Sequence, residues 1–188
     1  MKKIYLCRHG ETAWTISGQH TGSTDLSLTE QGQEQASELR KGIDKIHFDA
    51  IFSSPRKRAI ESCGDLQHGI DPRLAEWDYG DYEGKTTQEI YQVNPSWSIF
   101  KDGAPGGESP EQVGKRADAF LKGVQVYSGN VAIFSHGHFL RVLAARYLGL
   151  EPQMGKLLLL SVASLSILGE DRGQPAIVLW NQLFPTTL

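Results

Sequence analysis

Short, largely apolar runs alternate along this chain with stretches whose apolar residues recur every three or four positions. Ile4–Cys7, Phe48–Phe52 and Val131–Phe134 are runs of the first kind and read as buried strands. After Thr29, a residue suited to capping, Ala36, Leu39, Arg40 and Ile43 follow at helical spacing and predict a helix ending near Lys45. Ser54-Pro55 predicts a second helix, with serine as the cap, proline at the first position and a stripe of Ala59, Ile60, Cys63 and Leu66. A short helix is expected over Thr87–Val93. Ser109-Pro110-Glu111-Gln112 is a capping box that opens a long helix with Val113, Ala117, Phe120, Leu121 and Val124 on one face. Phe139 to Leu148 reads as a last helix, closed by Gly149 and Pro152.

Leu157–Leu168 and Ala176–Trp180 read as two final strands joined by the turn Gly169–Gly173, a hairpin able to place an antiparallel strand in the sheet. Residues 10–28 are polar and read as a long loop, and 71–84 alternate acids and aromatics without a clean period. Residues 85–108 read as an excursion over the sheet edge and not as a second domain. Strands alternating with helices predict one α/β domain of three α/β/α layers, spanning 1–188, with a mostly parallel central sheet and helices on both faces.

Composition adds limits. A chain of 188 residues favours one domain. The net charge of -3 gives no pull toward nucleic acid or an anionic membrane, so any anion affinity must come from local arginines. Two cysteines, Cys7 and Cys63, are too few for a disulfide framework and are expected as small core residues in a reducing compartment. The apolar run behind Lys2 and Lys3 is too short for a signal peptide, and Leu157–Leu168, broken by serines, is too short to span a bilayer. A cytoplasmic protein is the expectation.

The chemistry begins where two strands stop. The first ends in Arg8-His9-Gly10 and the later one in Ser135-His136-Gly137. In open α/β sheets ligands bind at the carboxyl ends of strands, so neighbouring strands would bring the imidazoles to one crevice. A lone histidine is more often structural, but two at matching strand ends, each before a glycine, point to a site. Arg8 beside His9 repels a metal ion and favours phosphate or carboxylate, so His136-Gly137-His138 is not read as a metal motif, and no metal or other cofactor is expected. Arg56, Lys57 and Arg58 stand in a helix's first turn, against its dipole, which suggests that Arg58 serves a ligand. Arginines beside a histidine keep it neutral and nucleophilic, able to attack phosphorus. The leaving oxygen then needs a proton, for which Glu76, in an aromatic setting that would raise its pKa, competes with Asp78, Asp81 and Glu83. Residue chemistry alone does not choose among them.

Leu6-Cys7-Arg8-His9-Gly10-Glu11-Thr12 resembles the signature of the histidine phosphatase superfamily, the group that contains the cofactor-dependent phosphoglycerate mutases. Further blocks match in order: Thr21-Gly22 with Leu28-Thr29 and Gly32; Ser53-Ser54-Pro55 with Arg58-Ala59; Leu74-Ala75-Glu76 with Gly80 and Glu83-Gly84; and Ser135-His136-Gly137. The resemblance implies His9 as the nucleophile that becomes phosphohistidine, Arg8, Arg58 and His136 as the phosphate pocket, and Glu76 as proton donor. Ser17–Gly22 and Glu76–Gly84 are similar to the branch with fungal sedoheptulose bisphosphatase and related sugar phosphatases. Thr15 stands where mutases usually carry asparagine, and it retains a hydroxyl for phosphate. Thr15, Gln19, Thr21, Gly22, Tyr79, Gly137 and Arg141 are the expected substrate contacts, Arg141 lying one helical turn beyond Gly137.

The expected function is a metal-independent phosphomonoesterase acting on a small phosphorylated metabolite such as a sugar phosphate. A phosphoglycerate mutase, or a phosphate-binding module without catalysis, are the alternatives. A mutase must shield its phosphoenzyme from water, and neither the excursion at 85–108 nor the short tail after Trp180 looks able to seal a pocket.

Overall fold

In the computed structural model, residues 2–185 are described. The chain runs β1 (Ile4–Arg8), α1 (Ala13–Ser17), α2 (Glu30–Ile43), β2 (Phe48–Ser53), α3 (Lys57–Cys63), β3 (Gly69–Ile70), α4 (Thr87–Val93), α5 (Ile99–Asp102), α6 (Pro110–Gly123), β4 (Asn130–Ser135), α7 (Gly137–Tyr147), β5 (Leu165–Asp171) and β6 (Gln174–Gln182). The six strands form one sheet in the order β3-β2-β4-β1-β5-β6. β1, β2, β3 and β4 are mutually parallel, and β5 runs antiparallel to both β1 and β6.

Alternation along the central strands builds the layers. Ile4 and Leu6 of β1, with Val131 and Ile133 of β4, share a core with Val113, Ala117 and Phe120 of α6 and Phe139, Leu140 and Leu143 of α7. Tyr5, Cys7, Ala132 and Phe134 point to the other face, where they meet Leu39 and Ile43 of α2 and Cys63 of α3. Because side chains alternate with a period of two, a one-residue slip of either strand would exchange its faces; the observed register keeps each apolar set against its own layer of helices. That register pairs Cys7 with Phe134 and Arg8 with Ser135. The two histidines therefore leave the sheet side by side, and His9 N–H donates to Ser135 O at 3.0 Å. Cys7 and Cys63 are buried free thiols, as expected.

Several expectations needed correction. The loop at 10–28 contains α1, capped by a reciprocal pair of hydrogen bonds between Thr12 and Thr15. Ser54-Pro55 does not cap α3, which starts two residues later behind Arg56 with no side-chain cap. The helix expected from Phe139 begins already at Gly137. The strand expected from Leu157 begins at Leu165, preceded by a 3-10 turn over Pro152–Leu157 and an irregular stretch. The excursion at 85–108 adds α5 and drives Ile90, Trp97, Ile99 and Phe100 into the core beside α6 and α7. Of the tail after Trp180, Thr186, Thr187 and Leu188 lie outside the described residues. Among the described residues no helix is long and apolar enough to cross a membrane.

Candidate active site

A cavity of about 390 Å³ opens at the carboxyl ends of β1 and β4, with Arg8, His9, Glu76, Tyr79, Gly137, His138 and Arg141 in its wall. His9 is nearly buried, and its Nδ1 lies 2.7 Å from Gly10 O. A carbonyl only accepts, so Nδ1 carries the ring proton and Nε2 keeps its lone pair. Burial, then the charges of Arg58 and Arg8, hold the His9 pKa well below its ordinary value. The ring is therefore neutral at neutral pH.

His136 packs edge-on against His9 with ring centroids 5.2 Å apart. Its Nδ1 accepts from Arg58 Nε at 3.1 Å, which places the proton on Nε2, directed at Ser54 Oγ 2.7 Å away. This pairing explains the missing cap on α3: the Ser54 hydroxyl serves His136, and also accepts from Arg56 N at 3.3 Å. Burial, with Arg58 next, keeps the pKa of His136 well below the ordinary range.

Arg58 is wholly buried. Besides His136 it donates to the carbonyls of Thr24 at 2.9 Å, Thr21 at 2.9 Å and Gly22 at 3.3 Å. Arg58 does stand in the first turn of α3, and its hydrogen bonds go to the first loop and to His136. Neither Arg58 nor His136 is in the cavity wall, unlike Arg8. Arg8 donates through Nη1 to Leu160 O, while its buried Nε has no partner among the described residues. A side chain at Gly137 would come within 3.1 Å of Arg8 Cζ, so glycine makes room for that guanidinium.

Glu76 sits in a different environment from the aromatic one expected. Oε1 accepts from Trp77 N at 2.9 Å and Phe139 N at 2.8 Å, and Oε2 from His138 N at 3.1 Å. The first turn of α7, which lacks a cap from His136, is capped by this carboxyl from another segment. A carboxylate offers about four acceptor positions, so the remaining one is on Oε2. The Trp77 ring is buried elsewhere, donating to Glu108 O at 2.8 Å. Of the competing acids, Asp78 and Asp81 are exposed and Glu83 accepts from backbone N–H groups of the first loop; none of the three is in the cavity wall, whereas Glu76 is.

The expected substrate contacts divide. Gln19, Thr21, Tyr79, Gly137 and Arg141 line the cavity with Thr15. Thr15 has already spent its hydroxyl proton on Thr12 O at 2.8 Å, so its contact differs from the one anticipated. Gly22 is not in the cavity wall; its N–H and carbonyl bind Glu83 and Arg58. Arg141 anchors to Gly155 O and Lys156 O and stacks over Phe100, 4.4 Å from the ring centre, which leaves Nη1 uncommitted among the described residues. The sequence reading missed Trp14, His20, Leu160 and Val162 as cavity residues. The Tyr79 hydroxyl lies 2.5 Å from His138 Nδ1. Burial holds the tyrosine pKa well above and the histidine pKa well below their ordinary values. Tyr79 is therefore the donor, and His138 keeps its own proton on Nε2. Among the described residues no group of three or more His, Cys, Asp or Glu could hold a metal ion.

Comparison with known proteins gives the family. Residues 4–183 match the family model of the histidine phosphatase superfamily, branch 1. An acid phosphatase of Mycobacterium tuberculosis is 37% identical over 178 residues, covering 91% of this chain and 88% of that protein. Sedoheptulose 1,7-bisphosphatase of Saccharomyces cerevisiae is 34% identical over 189 residues, covering 80% of this chain and 69% of that protein. A solved structure of a Mycobacterium tuberculosis open reading frame superposes with a TM-score of 0.92 at 35% identity, covering 97% of this chain and 98% of that one. With two strand-end histidines in register and a match over nearly its whole length, the chain belongs to the histidine phosphatase superfamily, branch 1, as an enzyme of the phosphatase type.

Proposed function

We propose that this enzyme hydrolyses a small phosphorylated metabolite, a sugar mono- or bisphosphate, through a phosphohistidine on His9, without a metal. The observation that carries the reading is the pairing, in one cavity wall, of His9 with its lone pair on Nε2 and Arg8 with an unpartnered N–H. Nε2 attacks phosphorus in line as the bond to the leaving oxygen breaks, while Arg8 takes up charge on the phosphoryl oxygens. Arg58 and the neutral His136 complete the phosphate pocket from the buried side. Glu76, in its protonated form, hands a proton through Oε2 to the leaving alcohol. It then takes a proton from water, whose oxygen attacks phosphorus. The P–N bond breaks, and phosphate departs from a restored His9.

A sugar bisphosphate is supported by the second guanidinium, Arg141, in the same wall as Arg8, and by the resemblance to the yeast sedoheptulose 1,7-bisphosphatase. Hydrolysis over phosphoryl shuttling is supported by the excursion at 85–108. Ile90, Trp97, Ile99 and Phe100 are committed to the core, Tyr91 and Val93 are exposed, and no residue of the excursion is in the cavity wall, which leaves little cover to hold water off.

The test follows free phosphate and isomer interconversion together, on a sugar bisphosphate and on 3-phosphoglycerate. The expected result is irreversible release of one phosphate from the bisphosphate with little isomer exchange. Rapid exchange between 2- and 3-phosphoglycerate with little phosphate released would replace the phosphatase reading with a mutase.

A further inference from the structure

Glu83 lies outside the chemistry just described, although it stands in the same segment as Glu76. Its carboxylate faces the first loop: Gly22 N–H lies 3.0 Å from both oxygens, and Thr24 N–H lies 2.9 Å from Oε1. The carbonyls of that loop face the opposite way. Those of Thr21, Gly22 and Thr24 all accept from Arg58. Residues 21–24 are thus stretched between an anion on their N–H side and a cation on their C=O side, which aligns the peptide dipoles favourably with both charges. The contact is close. A Cβ on Gly22 would fall 2.4 Å from Trp77 O and 2.9 Å from Glu83 Oε2, so only glycine lets the loop lie against the segment that bears the acid. From Arg58 the chain of contacts continues through Nε to His136 Nδ1, and from His136 Nε2 to Ser54.

We propose that Glu83 is a positioning residue for the phosphate pocket: by fixing loop 21–24 it fixes the Arg58 guanidinium, and through Arg58 the orientation and tautomer of His136. Three features set this apart from a plain structural contact. Arg58 is fully buried, so it cannot exchange loop carbonyls for water if the loop relaxes. Its Nε–H is what keeps the His136 proton on Nε2. It also lies near enough to His9 to act on that ring's charge state. Glu83 itself has no place in the cavity wall.

The inference rests on His9 as nucleophile and on Arg58 and His136 as phosphate-holding groups. The test uses Glu83→Gln, which keeps the shape of the side chain but sets an amide NH₂ against the loop N–H groups. With p-nitrophenyl phosphate, kcat is expected to fall by about 10²-fold, the size of a misplacement on the order of 1 Å, with KM changed little. Vanadate inhibition should weaken by a similar factor.

The pH profile separates positioning from simple support. Burial depresses both imidazoles most; Arg58 from α3 and Arg8 from β1 add to it at His9 and at His136, and His9 and Arg56 add to it at His136 alone, while the hydrogen bond to Gly10 O acts the other way on His9. Drawing Arg58 away removes a lowering influence, so the acid limb of kcat/KM should move to higher pH. Glu83→Asp keeps the charge on a shorter arm and should recover at least part of kcat. It carries the same pH test if the glutamine variant does not fold. A folded variant with a lowered kcat but an unmoved acid limb, or one with wild-type kcat, would overturn the proposal. Failure of the underlying reading would show instead in His9→Ala retaining activity while wild type and Glu83 variants behave alike.

Discussion

The floor of the site and its rim are built by different physics. The floor is made from strand ends and the starts of helices: His9 after β1, His136 between β4 and α7, and Arg58 in the first turn of α3. These side chains are nearly or fully buried, and their ring and guanidinium nitrogens are tied into hydrogen bonds that set a single tautomer. The rim is loop and short helix, from Trp14 to Thr21 on one side and Leu160 and Val162 on the other. Exposed Ile16, Leu157 and Leu159 lie along the same segments. In the proposed function the floor fixes where phosphorus sits and which nitrogen attacks. The rim decides what else the substrate carries, and loops of this kind tolerate change that a register-locked sheet does not.

The largest effect expected at the boundary between the two comes from Glu76→Gln. With alkyl phosphates kcat should fall by about 10²–10⁴-fold, the usual value of a positioned acid. With p-nitrophenyl phosphate the loss should be far smaller, because that oxygen leaves without a proton. Equal losses on both substrates would show that Glu76 acts mainly by capping α7 through the amides of His138 and Phe139. A smaller effect is expected on the rim. Arg141→Ala should raise KM about tenfold for sugar bisphosphates, the scale of losing one exposed charge-assisted hydrogen bond, and leave KM for monophosphates and kcat nearly unchanged. A kcat loss shared by all substrates would move Arg141 from rim to floor.

The same division explains what the sequence made legible. β1 and β4 were legible as two apolar runs, each ending in a polar residue, a histidine and a glycine; that they are neighbours was a condition of the sequence reading, and the parallel pairing meets it. Helices with reciprocal caps, such as the one opened by Ser109 and Gln112, were equally clear. Errors arose where a local signal was diverted to the site. Ser54 looked like a helix cap, but its hydroxyl partners His136. Leu157–Leu160 looked like a strand, but backbone carbonyls there and just before it are taken by arginines: Gly155 and Lys156 by Arg141, Leu160 by Arg8. Ala163 then adopts a positive φ of 50° as the chain turns back toward β5. Glu76 looked apolar from its sequence neighbours, while its real partners are amides from α7, some sixty residues away. Such long-range pairings leave no local trace, and only the resemblance to a family chose Glu76 over Asp78, Asp81 and Glu83.

The central claim is that Nε2 of His9 carries the phosphoryl group. It is tested most directly by brief incubation with ³²P-labelled substrate, an acid-free quench and mapping of the labelled peptide. The account predicts a phosphoryl group on the peptide containing His9, labile to acid and stable to base, and absent from a folded His9→Ala variant that has lost turnover. A base-labile label on serine, Ser54 being the hydroxyl nearest the paired imidazoles by hydrogen bonding, or a His9→Ala variant that still turns over, would contradict it.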